Sequence, residues 1–184
     1  MSDMPDYFAL LGLPEAYHLD AAQLRAQFLR LSRQHHPDFH TQADANTQSK
    51  ALEASALLNR AYKALLKPDD RLTYLLQRYG LLGPDGGNLT DVQPSPAFLM
   101  DMMDLNEQAD DLAHAGPDSR ADVARQLEGL LAANTAQLES LLQGFDAAPA
   151  TDRAETLRPV VQHYLERKYL LRLQEKLATF ASPH

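Results

Sequence analysis

Apolar residues recur along this chain at three- and four-residue steps, and no stretch alternates with the two-residue period of a strand, so an all-α fold is predicted. Leu24, Phe28 and Leu31 stand at i, i+4 and i+7. Asp20 precedes them as an N-cap, with Gln23 three residues on in a variant capping box. Pro37 lacks an N–H and pushes His36 toward extended geometry, so this helix is expected to stop there. Ala51, Ala54, Ser55, Leu58, Tyr62 and Leu65 form a second stripe, whose small members allow close approach to the first helix. The expected product is an antiparallel hairpin with His36-Pro37-Asp38 at its tip. Gly83-Pro84-Asp85-Gly86-Gly87-Asn88 then breaks all periodicity. The chain is accordingly divided into an N-terminal domain, 1–80, a linker, 81–94, and a C-terminal domain, 95–184.

Ser95-Pro96 supplies a cap and an N1 proline for a new helix. Gly116-Pro117 and Asp146-Ala147-Ala148-Pro149 divide the C-terminal domain into three helical segments. The middle one carries Val123, Leu127, Leu130, Asn134, Leu138, Leu141 and Phe145 at near-heptad spacing. The last runs through Leu157, Val160, Val161, Tyr164 and Leu171 toward Leu177, with Pro159 expected to kink it or shorten its start. Short connections favour antiparallel neighbours, so a three-helix bundle is expected. In its first helix Phe98, Met102, Leu105, Ala109 and Leu112 share one face. Leu99, Met100 and Met103 lie about 100° to 200° away from it, beside Asp104 and Glu107. That apolar surplus fits either a partner site or a helix buried on two sides.

Composition narrows the function. The 184 residues carry a net charge of −8, and cysteine is absent. Disulfides, thiol nucleophiles and thiolate metal ligands are thereby excluded, and no cofactor or metal is expected. No run approaches the roughly twenty apolar residues of a membrane span. The opening Met-Ser-Asp-Met-Pro-Asp has neither a basic nor an apolar region, so no signal peptide and a cytoplasmic location are expected. A pI near 5.3 argues against nucleic-acid binding. Against this acidic background, Ala21 to Pro37 contains no acidic residue, and Arg25, Arg30 and Arg33 lie on or beside the face opposite the apolar stripe. This basic strip suits an acidic protein surface. His36 and Asp38 could serve simply as turn chemistry, or as an acid–base pair. No phosphate loop, nucleophile or metal constellation accompanies them as an enzyme would require. A metal site from His35, His36 and His40 is opposed by Pro37, which breaks the helical i,i+4 spacing.

A basic helix, then His36-Pro37-Asp38, then a second helix resembles a J-domain, the part of a co-chaperone that drives ATP hydrolysis by a DnaK-type chaperone. Tyr7-Phe8-Ala9-Leu10-Leu11-Gly12-Leu13 resembles its short first helix, and Leu58 to Leu65 the core of its third. Asp70-Arg71-Leu72-Thr73-Tyr74 and Tyr79-Gly80 resemble the closing stretch of that third helix. The resemblance assigns chaperone contact to His36, Pro37 and Asp38 and agrees with the basic strip of Arg25, Arg30 and Arg33.

With the C-terminal bundle added, the whole chain resembles the HscB family, the dedicated J-proteins of iron–sulfur cluster assembly. Phe98-Leu99-Met100-Asp101 with Met103, Asp104 and Glu107 is similar to the family signature, as is Leu165-Glu166-Arg167 to Leu177. Membership implies that the J-domain engages the chaperone HscA while the bundle holds the scaffold protein IscU. The positions carried over for the scaffold are Leu99, Met100, Met103, Asp104, Glu107 and Tyr164. Phe39-His40 stands where the family often has a lysine after the triplet. Some eukaryotic members carry a cysteine-rich zinc-binding extension at the N-terminus; with no cysteine in this sequence, a bacterial-type member is expected. The alternative is a general J-protein delivering unfolded clients, which usually adds a Gly/Phe-rich segment or a zinc module.

Overall fold

The structure, a computed structural model, describes residues 4–35, 44–112 and 117–181. The chain divides into two compact units, Met1–Leu89 and Thr90–His184. Seven helices are described: α1 (Tyr7–Leu11), α2 (Ala21–Gln34), α3 (Ala45–Leu66), α4 (Pro68–Arg78), α5 (Pro96–Asp111), α6 (Pro117–Ala147) and α7 (Arg153–Ala181). Among the described residues there is no strand, only an isolated bridge between Leu82 and Asn88.

In the first unit, the Asp6 carboxylate caps α1 by accepting from the Ala9 amide. Gly12 ends the helix in the left-handed region at φ 64°, a backbone conformation that glycine adopts at little cost and L side chains rarely adopt. Asp20 caps α2 by accepting from the amides of Ala22 and Gln23, and Asp44 caps α3 in the same way. Phe28 of α2 stacks on Tyr62 of α3 with ring centroids 4.2 Å apart. The core gathers around Phe8, Leu11, Leu24, Leu58, Leu65 and Leu75, all buried.

The segment expected to close the third helix is a separate helix, α4. Lys67 adopts extended backbone (φ −95°, ψ 139°) ahead of Pro68, as a residue before proline must, and Pro68 opens α4 at its first position. Arg71 makes the break workable. Its guanidinium is buried, donating to the Leu65 carbonyl from Nε (2.8 Å) and Nη2 (2.6 Å) and to the Tyr17 carbonyl from Nη1 (2.5 Å). It therefore satisfies the Leu65 carbonyl at the end of α3, where the helix itself supplies no donor, and ties it to Tyr17. Arg71→Ala is expected to cost about 2–4 kcal/mol, since it leaves the buried Leu65 carbonyl and the part-buried Tyr17 carbonyl without this donor. Urea denaturation followed by circular dichroism measures this, and Arg71→Lys should recover only part, because an ammonium lacks the planar fork. Residues 81–89, within the segment expected as linker, belong to the first unit. Leu82 is buried there, and Gln77 donates to the Gly83 carbonyl.

The second unit is a three-helix bundle. Asn134 of α6 donates to the His163 carbonyl of α7, and Arg153 lies over the Phe145 ring, so α6 and α7 run antiparallel. Gln126 and Arg120 of α6 reach back to Gln108 and Leu112, which makes α5 antiparallel to α6 as well. Met102, Leu105, Ala109 and Leu112 are buried against Val123, Leu127, Leu170 and Leu173, with Phe98 packed alongside. Pro159 neither starts nor ends α7: the helix begins at Arg153 and runs through it. The stripe expected to continue from Tyr164 to Leu171 changes face. Leu171 is only part-buried, and the seal passes to Glu166, Leu170 and Leu173. From Glu166 onward α7 has α5 beside it as well as α6, and the face turned to α5 closes.

Candidate functional sites

On α2, Leu24 is buried and Phe28 is occupied by Tyr62, which leaves Arg25, Arg30 and Arg33 exposed on the outer side. Arg30 is braced by Gln27, whose Oε1 accepts from Nε (3.1 Å) and Nη2 (2.8 Å). Between the arginines lies a residue that stripe-based reasoning passes over. Leu29 is 45% exposed, one helical turn from both Arg25 and Arg33. Its signal was present in the sequence as an apolar residue off the buried stripe with arginines at i−4 and i+4.

His36, Pro37 and Asp38 lie outside the described residues. The elements on either side of them are well built. α2 ends with His35, whose amide donates to the Leu31 carbonyl (3.1 Å). α3 starts at Asp44, whose exposed carboxylate accepts from the Thr47 hydroxyl (2.8 Å) and amide (3.0 Å) and the Asn46 amide (3.0 Å). The Thr47 hydroxyl first, then its amide, hold that carboxyl below the usual carboxylate range. Among the described residues no group of three or more His, Cys, Asp or Glu could hold a metal ion. No helix, among those residues, is long and apolar enough to cross a membrane.

The second surface is the outer face of α5. Ser95 caps this helix, its hydroxyl accepting from the Phe98 amide (3.1 Å), and Pro96 occupies its first turn. The buried side of α5 is taken by Met102, Leu105 and Ala109. Leu99, Met100 and Met103 are 43%, 69% and 70% exposed, and Asp104 and Glu107 are exposed beside them. Five of the six predicted scaffold-side residues thus share one solvent-facing helix surface. Tyr164 stands apart. It is part-buried on α7 with the Lys168 ammonium 5.6 Å from its ring, about 160° around the helix from Glu166, which touches the start of α5. Glu166 is the residue that periodicity could not select: a buried acid in an apolar row.

Comparison with known proteins agrees with both halves of this architecture. Residues 6–74 match the DnaJ domain family. Residues 94–178 match the family described as the HSCB C-terminal oligomerisation domain. Together with the helical frame, the first match defines a J-domain co-chaperone. The chain is 29% identical to the co-chaperone protein HscB of Proteus mirabilis (strain HI4320) across 173 residues, covering 94% of this chain and 93% of that relative. The chaperone HscB from Vibrio cholerae superposes with a TM-score of 0.60 at 26% identity, covering 96% of this chain and 98% of that one. Human co-chaperone protein HscB superposes at 0.64 with 25% identity, covering 100% of this chain and 86% of that one. The chain belongs to the HscB family.

Proposed function

We propose that this protein brings an IscU-type iron–sulfur scaffold to an HscA-type, DnaK-like chaperone in the cytoplasm and stimulates that chaperone's ATPase. The observation that carries the reading is the exposure of Leu99, Met100 and Met103 on a folded bundle separate from the J-domain unit. A bundle serving only as a spacer has no need to hold three large apolar side chains in water, and the acids beside them favour a partner with complementary charge. Methionine adapts to an irregular partner surface.

The mechanism is non-enzymatic. The α5 face holds the scaffold while the basic side of α2 approaches the chaperone's ATPase domain. The His36-Pro37-Asp38 corner binds the hydrolysing state of the chaperone better than the resting one, and that difference in affinity shifts the population. Asp38 accepts a charge-assisted hydrogen bond from a partner arginine, with Pro37 restricting the backbone beside it and His36 orienting the corner. A pull-down from cell extract tests the reading. Recovery of the scaffold with a single chaperone supports it, and recovery of diverse unfolded clients supports a general J-protein instead.

The arginines supply approach rather than grip. In a protein of net charge −8, three exposed cations on one helix create a locally attractive field toward an acidic chaperone surface. Raising salt from low to physiological strength, where the Debye length is about 8 Å, should therefore slow association. Arg30→Ala with Arg33→Ala should lower the on-rate and flatten its salt dependence, leaving scaffold binding untouched. Stopped-flow association rates across a salt series measure this. A flat response in the wild type would make the arginines a plain solvated face.

A further inference from the structure

In the capping box that starts many helices, a Glu or Gln at the third helical position reaches back to the N-cap amide. In α5 that third position is Phe98, which is committed to the bundle core and the edge of the Tyr169 ring, 6.3 Å away. The N-cap amide belongs to Ser95, which sits between Pro94 and Pro96 and is the sole backbone donor of that tripeptide. Its partner comes from another helix. Glu166 of α7 accepts from the Ser95 amide at 3.0 Å through Oε1. The same oxygen accepts from Gln162 Nε2 at 3.0 Å, and Oε2 lies 3.0 Å from His163 Nδ1. Glu166 is only 5% exposed, so it enters the core already satisfied on both oxygens.

We infer that Glu166 completes the cap of α5 from α7 and is thereby the positioning residue for the Leu99–Met100–Met103 face. The inference rests on the reading of that face as the scaffold site. Three features make the contact more than ordinary packing. The carboxylate places negative charge at the amino end of α5, where the helix dipole favours it. The Leu99 amide bonds the Ser95 carbonyl at 3.0 Å, so the residue Glu166 grips is the same one that opens the backbone ladder of the exposed face. At the far end of α5, Lys176 pairs with Asp110 at 2.5 Å, so α7 holds this helix at both ends. The Glu166 contact is the buried one of the two and lies about one turn from Leu99 and about a turn and a half from Met100.

The test uses the full chain and two variants. In Glu166→Ala the amides of Ser95, Phe98 and Leu99 should exchange with solvent roughly five- to tenfold faster, as for a lost cap, while α6 core amides keep their wild-type rates. Affinity for purified scaffold should fall by a similar factor. Glu166→Gln retains a carbonyl oxygen for Ser95 and Gln162 and an amide able to donate to a neutral His163, so it should restore both readouts to within about twofold. Leu142→Ala, a deletion in the core where α6 meets α7, controls for general destabilisation and should leave the three amides unchanged. Unchanged exchange at those amides in Glu166→Ala, or Glu166→Gln as disrupted as Glu166→Ala, overturns the cap. Normal scaffold affinity despite a frayed cap overturns the positioning role. Normal binding by L99A/M100A/M103A would instead bring down the assignment of the face, and the exchange data separate that failure from a failure of the cap.

Discussion

Replacing His36 by Gln, or Asp38 by Asn, is expected to abolish stimulation of the chaperone's ATPase while leaving the melting temperature nearly unchanged. The two halves of this expectation have different physical origins. Stimulation depends, in the proposed mechanism, on hydrogen bonds from the triplet to the partner, so removing the imidazole or one carboxylate oxygen removes the preference for the hydrolysing state. Stability depends on residues elsewhere. The triplet falls between His35, which ends α2, and Asp44, which caps α3, while the core of this unit is built from Phe8, Leu11, Leu24, Leu58, Leu65 and Leu75. Substitutions away from core, caps and buried networks usually shift stability by within about 0.5 kcal/mol. Single-turnover ATP hydrolysis and a thermal melt on the same preparations check both. Stimulation that survives either substitution would remove the corner from the mechanism.

Alanine at Leu99, Met100 and Met103 together should weaken scaffold binding by at least about 2 kcal/mol, as expected of a clustered apolar hot spot. The helical circular dichroism should stay as in the wild type, because these side chains are 43–70% exposed and the buried side of α5 is untouched. Alanine is also the strongest helix former, so the substitutions do not weaken α5 by propensity. Titration calorimetry against the purified scaffold gives the loss directly. Normal binding would leave the exposed face without the proposed partner, and unfolding would assign the three residues to the core.

Those parts of the fold are legible in the sequence where local chemistry and periodicity agree. Asp20 and Ser95-Pro96 announce the starts of α2 and α5 because a cap needs only a short acceptor at a fixed offset. The split of α5 into a buried and an exposed side comes from about 100° per residue. Periodicity fails where the choice of neighbour decides. α4 was hidden in the expected third helix because apolar spacing continues across the break at Lys67-Pro68. What separates the helices is a tertiary bond network centred on Arg71, whose Tyr17 partner is distant in sequence. The change of buried face along α7 is equally nonlocal. A stripe reports that a side is covered, without saying that α5 arrives at Glu166 and closes a different one. Glu166 itself reads as an ordinary charged surface position until the lone amide between Pro94 and Pro96 is set against it. The motif His36-Pro37-Asp38 was legible as residues and order alone, and its placement lies outside the described part of the chain.

If one chain couples scaffold capture on α5 to ATPase stimulation through the J-domain, the coupling is visible in single-turnover hydrolysis by the HscA-type chaperone with scaffold present. Wild type and scaffold together should exceed the sum of their separate stimulations, while L99A/M100A/M103A should stimulate no more with scaffold than the sum of the separate effects. Equal synergy from the variant, or the same synergy when an unfolded polypeptide replaces the scaffold, would contradict the coupling.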